Sequence, residues 1–368
     1  MSDSLKSPSS TGSGLLAARR RLLVIRVGAL GDTLMVTPLL RALHSRSPEF
    51  EIDMLASGLA APLLELNPHV SNLFALGSRN WPLALSPEKQ RLIRRLRARN
   101  YELAILLEAA PRYRTLVERA HPRRILSFKE VPFDAGHHAI VNNMRVAGIE
   151  AGSVADFDME LPVSESDRAS AERMLLDLPA PRVGVHIGWG PLGRKGRQEA
   201  RLRGWSHSNF VQLIRMILDR FGGSVLLTGA PEDSEDTQLI CRSIASSRLR
   251  SIAGRTRIRE LAAVIQHLDL LVSVDSGPCH MAAAMGTPLV VLWGPGRLEQ
   301  TRPFSSFAPI RIVQHPVHCA PCQSTPMQKA CRRNLCMEGI TPDQVFGEIE
   351  KMGFPVSRSP FPAGAGEP

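Results

Sequence analysis

Three stretches of this 368-residue chain combine side chains that could act on a small anionic ligand. In Val27-Gly28-Ala29-Leu30-Gly31-Asp32, two glycines follow an aliphatic run and precede a helical pattern. Glycines at such a turn let the backbone approach a ligand closely. The helix start offers unpaired amides and a positive dipole end. Asp32 then reads either as a helix N-cap or as a carboxylate at the mouth of a cleft, acting as general base. The stretch Asp275-Ser276-Gly277-Pro278-Cys279-His280 has the same order of strand, turn and helix. Ser276, the amides of Gly277 and Cys279, and His280 could converge on a phosphate; the plainer reading is a Ser/Gly cap with a packing histidine. Between Gly188 and Trp205, Gly188, Gly190, Gly193 and Gly196 are interspersed with Arg194, Lys195, Arg197, Arg201 and Arg203. That loop is a solvated segment or a cationic flap whose arginines could grip a diphosphate by two oxygens.

Two familiar phosphate signatures are excluded. No Gly-Lys-Ser/Thr follows the first loop, so it is not a Walker A loop, and Thr33 stands where the dinucleotide fingerprint needs glycine. Asp156-Phe157-Asp158 imitates a metal-binding Asp-x-Asp, but it lies just before the expected linker rather than after a cleft-facing strand, and is read as structural. Cys319, Cys322, Cys331 and Cys336 fall within 18 residues. They suit either a tetrathiolate zinc or iron site or free or redox-paired thiols.

The elements that must position these loops follow from periodicity. Strand patterns at 51–57, 70–76 and 101–108 alternate with helical ones at 33–48, 60–68 and 86–100. The pattern restarts after residue 150: the segment 160–167 reads as a strand end and linker, and a helix follows at 167–178. Further on, strands at 181–188, 223–229, 269–275 and 287–294 alternate with helices at 206–222, 232–246, 256–268 and 277–286. Such alternation predicts parallel sheets covered by helices, an α/β protein of two doubly wound domains. The expected division is a disordered lead over 1–18, an N-terminal domain over 19–165, a C-terminal domain over 166–354 with a Cys-rich segment at 319–336, and a flexible tail over 355–368.

Composition narrows the function classes. With 43% hydrophobic residues the chain is neither disordered nor a membrane bundle. Its longest apolar stretch, 281–293, is interrupted by Gly286, Thr287 and Pro288 and is too short to span a bilayer. The polar start carries no signal-peptide core, and six cysteines are too few for a disulfide scaffold, so a cytoplasmic protein is expected. The net charge of +10 is local: residues 91–124 hold ten Lys/Arg against three Glu, and residues 194–203 hold five against one. Those two segments exceed the whole excess and call for anionic ligands in two places. Aromatic residues are only 5%, with Tyr101 and Tyr113 the sole tyrosines, which disfavours base stacking on nucleic acid.

Taken together, Arg26-Val27-Gly28-Ala29-Leu30-Gly31-Asp32 with Leu34 and Thr37-Pro38, the flap ending Arg203-Gly204-Trp205, and Asp275-Ser276-Gly277-Pro278-Cys279-His280-Met281-Ala282-Ala283 with Gly286-Thr287-Pro288 resemble glycosyltransferase family 9, the heptosyltransferases of lipopolysaccharide core assembly. The resemblance runs from about Arg20 to Phe354. It implies a GT-B fold, two Rossmann-like domains facing a central cleft, and inverting transfer of heptose from ADP-heptose to the lipopolysaccharide core. Asp32 would be the catalytic base. Arg203, Asp275, Ser276, Gly277, Pro278 and His280 would bind the donor, with Arg203 standing where the family usually has a lysine. Gly31, Arg112 and Arg114 would contact an anionic acceptor. No cofactor and no catalytic metal are implied. The expected protein is a monomer that binds no nucleic acid and touches the inner face of the inner membrane; Arg94, Arg95, Arg97 and Arg99 are a solvated face or a contact for anionic lipid. Two alternatives stay open: a family 9 transferase with another nucleotide sugar or a protein acceptor, and a non-catalytic nucleotide- or nucleic-acid-binding module.

Overall fold

The computed structural model describes residues 20–77, 82–150, 152–188 and 202–355. The expected lead, the flap residues Gly190, Gly193, Arg194, Lys195, Gly196, Arg197 and Arg201, and nearly all of the expected tail lie outside these residues.

The first half of the chain runs β1 (Arg20–Arg26), α1 (Leu30–Leu34), α2 (Thr37–Arg46), β2 (Phe50–Ser57), β3 (Asn72–Leu76), α3 (Pro87–Arg97), β4 (Leu103–Leu106), α4 (Pro111–Glu118), β5 (Arg124–Ser127) and α5 (Ala139–Val146). The second half runs α6 (Glu165–Leu175), β6 (Arg182–His186), α7 (His207–Phe221), β7 (Ser224–Thr228), α8 (Ser234–Ile244), β8 (Leu249–Ser251), α9 (Ile258–Gln266), β9 (Leu270–Val274), α10 (Gly277–Met285), β10 (Leu289–Leu292), β11 (Ile310–Val313) and α11 (Pro342–Lys351). Every strand pairing is parallel, in the orders β3-β2-β1-β4-β5 and β11-β10-β9-β6-β7-β8. Both sheets are doubly wound, as the alternation predicts. The strand order reverses between β1 and β4 in one and between β6 and β9 in the other, and ligands bind outside the carboxyl ends of strands at such reversals. The Asp32 loop leaves β1, the His280 loop leaves β9, and the flap leaves β6. All three sit at a reversal.

Local chemistry explains the elements. Strands β7, β9 and β10 are buried along their whole length, as continuous aliphatic runs must be when helices cover both faces. Helix α7 buries Phe210, Leu213, Ile214, Ile217 and Leu218, one stripe at helical spacing. Its Ser206 cap accepts from the Asn209 amide at 3.2 Å.

Several expectations need correcting. The single helix over 33–48 is two helices. Pro38 has no N–H for the Leu34 carbonyl, and Thr37 Oγ1 supplies the bond instead at 2.8 Å. The helix over 60–68 is one 3₁₀ turn, Ala61–Leu64. No strand forms at 160–163, where the chain crosses between domains. Periodicity also missed α4, β5, α5, β8, β11 and α11, most of them too short to show a repeat.

The two domains are packed together. Helix α1 lies against α10 and the 3₁₀ turn lies against α9, so one apolar cluster joins Leu34, Leu63 and Leu64 to Ala262, Met281 and Ala283. Beyond β10 the chain straps the first domain. His138 Nδ1 accepts from the Ile140 amide at 3.3 Å, leaving Nε2–H to donate to the Arg302 carbonyl at 2.9 Å. Phe304 meets Phe157 edge-on at 5.8 Å, and the Ser306 amide donates to Asp158 at 2.7 Å. Asp156 accepts the amides of Gly152 and Ser153 at 2.6 and 2.8 Å. Both aspartates of the Asp-x-Asp are thus hydrogen-bonded, Asp158 to the strap itself. Among the described residues no helix is long and apolar enough to cross a membrane.

Candidate functional site

Asp32 is the third residue of α1. The N-cap is Ala29, and Asp32 reaches back to accept its amide at 3.0 Å. The capping expectation was thus correct in kind but one turn off in place. The other carboxylate oxygen accepts from Arg26 Nη2 at 2.7 Å. Arg26 ends β1 and also donates to the Leu107 carbonyl beyond β4. Its Nε stands 3.9 Å from Glu108, which itself accepts the Val27 amide at 2.7 Å. Burial by itself would push the Asp32 carboxyl up, but the Arg26 charge and hydrogen bond and the Ala29 amide outweigh it, and the net shift is below the ordinary value. Asp32 is therefore ionised at neutral pH, with 32% of its side chain exposed. A carboxylate has about four lone-pair sites. Two are occupied, which leaves Asp32 able to accept a further proton donor.

Gly31 brings the domains into contact. A Cβ there would lie 2.5 Å from His280 Cδ2, and a Cβ on Gly277 would lie 2.8 Å from Leu30 Cβ. Only glycine allows the Asp32 and His280 loops this close. Gly31→Ala should therefore wedge the loops apart, destabilising the fold by about 1–3 kcal/mol as overpacking does, and lowering kcat/KM at least about tenfold as the groups on opposite walls separate. Thermal unfolding and steady-state kinetics check it, and wild-type behaviour in both would refute the contact. His280 is buried, which drives its pKa down to about 4, with His138 adding to the shift and Asp32 opposing it. The ring is neutral at pH 7, and among the described residues its buried Nδ1 has no hydrogen-bond partner.

Ser276 is the N-cap of α10, but its hydroxyl does not cap the helix. The hydroxyl lies 3.2 Å from Ser273 Oγ. The Cys279 amide, read as a phosphate donor, bonds the Ser276 carbonyl at 3.1 Å instead. The helix start is thus offered by Ser276 and Gly277, with Pro278 in the first turn. Arg203 and Asp275, 72 residues apart, form a buried ion pair beside it. A Cβ on Gly296 would lie 2.8 Å from the Asp275 carboxylate and 3.0 Å from the Trp293 ring, so the turn after β10 packs closely on it. Burial holds the Asp275 carboxyl above its ordinary value against the pull of Arg203. Trp205, which closes the flap, anchors it: its Nε1–H donates to the Ile340 carbonyl at 2.9 Å and its ring meets Phe210 edge-on at 5.0 Å.

The two acceptor arginines part company. Both lie on α4, which leaves β4 beside the reversal point. Arg114 is engaged by Glu118 and Glu130, each at 3.0 Å, and by Ser127 Oγ at 3.1 Å. Arg112 is exposed, its guanidinium 5.0 Å from the Tyr113 ring centre. The sequence reading missed Glu108 and His138, and it assigned no role to Arg26. None of these carries a local signal, because each acts on a residue brought near by the fold. The glycine-rich turn Trp293-Gly294-Pro295-Gly296, directly after a strand, could have drawn notice. The four clustered cysteines line one small cavity with Leu202 and Pro295, and all are unpaired thiols. Burial and the neighbouring thiols push Cys336 up to about 11. Among the described residues no group of three or more His, Cys, Asp or Glu is arranged to hold a metal ion. The segment braces the flap, with Asn334 Nδ2 donating to the Gly204 carbonyl at 2.9 Å.

Comparison with known proteins agrees with this geometry. The family profile described as "Glycosyltransferase family 9 (heptosyltransferase)" matches residues 197–331. The chain is 29% identical over 284 residues to lipopolysaccharide heptosyltransferase 3 of Escherichia coli K12, covering 72% of this chain and 79% of that one. It is 26% identical over 336 residues to lipopolysaccharide heptosyltransferase 2 of the same strain, covering 80% and 88%. The crystal structure of a family 9 glycosyltransferase from Veillonella parvula superposes with a TM-score of 0.75 at 20% identity, covering 91% of this chain and 97% of that one. The fold is GT-B. The family profile and these relatives make the chain similar, over most of its length, to the heptosyltransferases of glycosyltransferase family 9.

Proposed function

We propose that the chain transfers a heptose from ADP-heptose to a sugar hydroxyl of the lipopolysaccharide core, with inversion at the anomeric carbon. One observation carries the reading: an ionised carboxylate at the reversal point of one domain faces the start of a helix at the reversal point of the other. Both curated relatives described above are named as lipopolysaccharide heptosyltransferases, which supports this substrate class.

The acceptor oxygen attacks the anomeric carbon from the face opposite ADP, and Asp32 takes its proton. The bond from that carbon to the β-phosphate oxygen breaks, and negative charge collects on the leaving diphosphate. Ser276, Gly277 and the α10 dipole, with neutral His280 and the Arg203 cation held by Asp275, form a preorganised site for that charge. Pro278 fixes the first turn of the helix. Charge stabilisation and proton removal suffice for this step, so no cofactor and no catalytic metal are assigned. Arg112 reaches for anionic groups of the acceptor, while Gly31 keeps the rim low and Arg114 holds the α4 end in place. The enzyme works as a cytoplasmic monomer that visits the inner face of the membrane bearing its acceptor.

A donor screen tests the proposal. Purified protein with lipid-linked core acceptor should release nucleotide from ADP-heptose and not from UDP- or GDP-sugars; faster release from either of those would replace the donor assignment. Replacing Ser276 and His280 together with alanine should weaken ADP binding at least about tenfold, the scale of one lost charge-assisted hydrogen bond. Titration calorimetry reads this, and an unchanged affinity would place the diphosphate elsewhere.

A further inference from the structure

The outer layer of the first domain carries charge that the cleft does not use. Helices α3 and α4 bury one face against the sheet through Leu92, Ile93, Leu96, Tyr113, Leu116 and Val117. The opposite face of α3 exposes Arg91, Arg94 and Arg95 at helical spacing, with Arg97 beside them. Arg97 meets His121 at the end of α4, and Arg119, Arg123 and Arg124 are exposed around it. The basic surface is therefore continuous across both helices.

Nearby carboxylates are committed elsewhere. Glu102 binds Arg20, Glu118 and Glu130 bind Arg114, and Glu88 accepts the Gly77 amide at 2.6 Å. Among the described residues, Arg91, Arg94, Arg95 and Arg97 form no ion pair with a carboxylate. Leu85 stands just before α3 and is 67% exposed. A helix that follows a parallel strand begins at that strand's carboxyl end, so Leu85 lies on the cleft side of this layer.

We propose that this face of α3 and α4 docks on an anionic lipid bilayer, with Leu85, at its cleft-side end, entering the interface. The partner follows from the chemistry. Arginines spread over a helix face with one protruding leucine suit a charged surface with an apolar layer beneath it. Nucleic acid would call for exposed stacking rings, whereas Tyr113 and Phe74 are buried. The inference deepens the reading of a membrane-borne acceptor, but its test uses neither donor nor sugar transfer.

The experiment is co-sedimentation of the full chain with vesicles of phosphatidylcholine, with and without phosphatidylglycerol. Binding is expected only with the anionic lipid, and its loss near 1 M salt, where the screening length falls to about 3 Å. The quadruple variant Arg91→Gln, Arg94→Gln, Arg95→Gln, Arg97→Gln should reduce partitioning roughly 600-fold, at roughly fivefold for each basic residue near the surface. Glutamine keeps helix propensity, and thermal unfolding verifies the fold. Leu85→Ser should weaken binding without touching charge, and Arg173→Gln with Arg242→Gln, on the second domain, should leave it unchanged. Equal binding to neutral vesicles, wild-type partitioning of the folded quadruple variant, or tight binding of duplex DNA with none to anionic vesicles would each overturn the proposal.

Discussion

Asp32→Ala should lower kcat/KM by about 10²–10⁴-fold, the usual contribution of a positioned general base, while ADP binding changes by no more than about twofold. The separation is expected because Asp32 belongs to the first domain and the helix start to the second. Steady-state kinetics and calorimetry read the two quantities independently. Turnover within a few fold of wild type would remove Asp32 from the chemistry, and a parallel loss of ADP affinity would make it a donor contact instead. Arg26 supplies a sharper version. Burial alone would raise the Asp32 carboxyl, and Arg26 reverses that. A base works in its ionised form, so wild-type activity should hold as pH falls until it approaches a value below the ordinary carboxylate range. In Arg26→Met the burial effect loses its main opponent, the Asp32 pKa rises, and the acid limb of kcat/KM should move to higher pH. A purely structural role for Arg26 would lower the profile without shifting it.

Arg203→Ala should destabilise the protein by about 3–5 kcal/mol, because it leaves a buried carboxylate without its partner. Asp275 and Arg203 are each 7% exposed, so water cannot replace the lost contact. The pH dependence has a defined sign. Asp275 already has a raised pKa in the folded state. Its effect on stability is therefore most favourable below the unfolded pKa and is lost as pH rises through the folded one. Removing Arg203 raises that folded value further, so the variant should lose most stability toward neutral pH and recover it in acid. Urea unfolding across pH measures this. The double variant Arg203→Ala/Asp275→Asn should regain much of the stability and none of the ADP affinity. A single variant within about 1 kcal/mol of wild type at neutral pH would show that the pair is not buried in solution.

That pair also explains a departure from the sequence reading. Arg203 was expected to meet donor phosphate directly, and in the folded chain Asp275 holds it at the helix start. Read in sequence, both residues look like ligand contacts, since nothing local connects positions 72 residues apart. The same limit applies to Arg26. It was visible as part of a motif, but its hold on Asp32 and on the Leu107 carbonyl depends on β1 lying beside β4. His138 shows the limit most plainly: its ring reaches the Arg302 carbonyl across the domain contact, and no periodicity announces it. The split at Pro38 is a different case, since a missing N–H is a local fact that helical spacing concealed.

By itself the sequence determined the alternation of strands and helices, the division into two units, and the two glycine turns that carry Asp32 and His280. Those features rest on short-range causes: apolar periodicity, the freedom of glycine and the dipole of a helix start. Tertiary structure alone decided which side chains answer each other: Arg26 with Asp32, Arg203 with Asp275, Gly31 with His280. Strand order and domain packing bring those pairs together, and the electrostatics of each site then depend on burial and on partners that are distant in the chain.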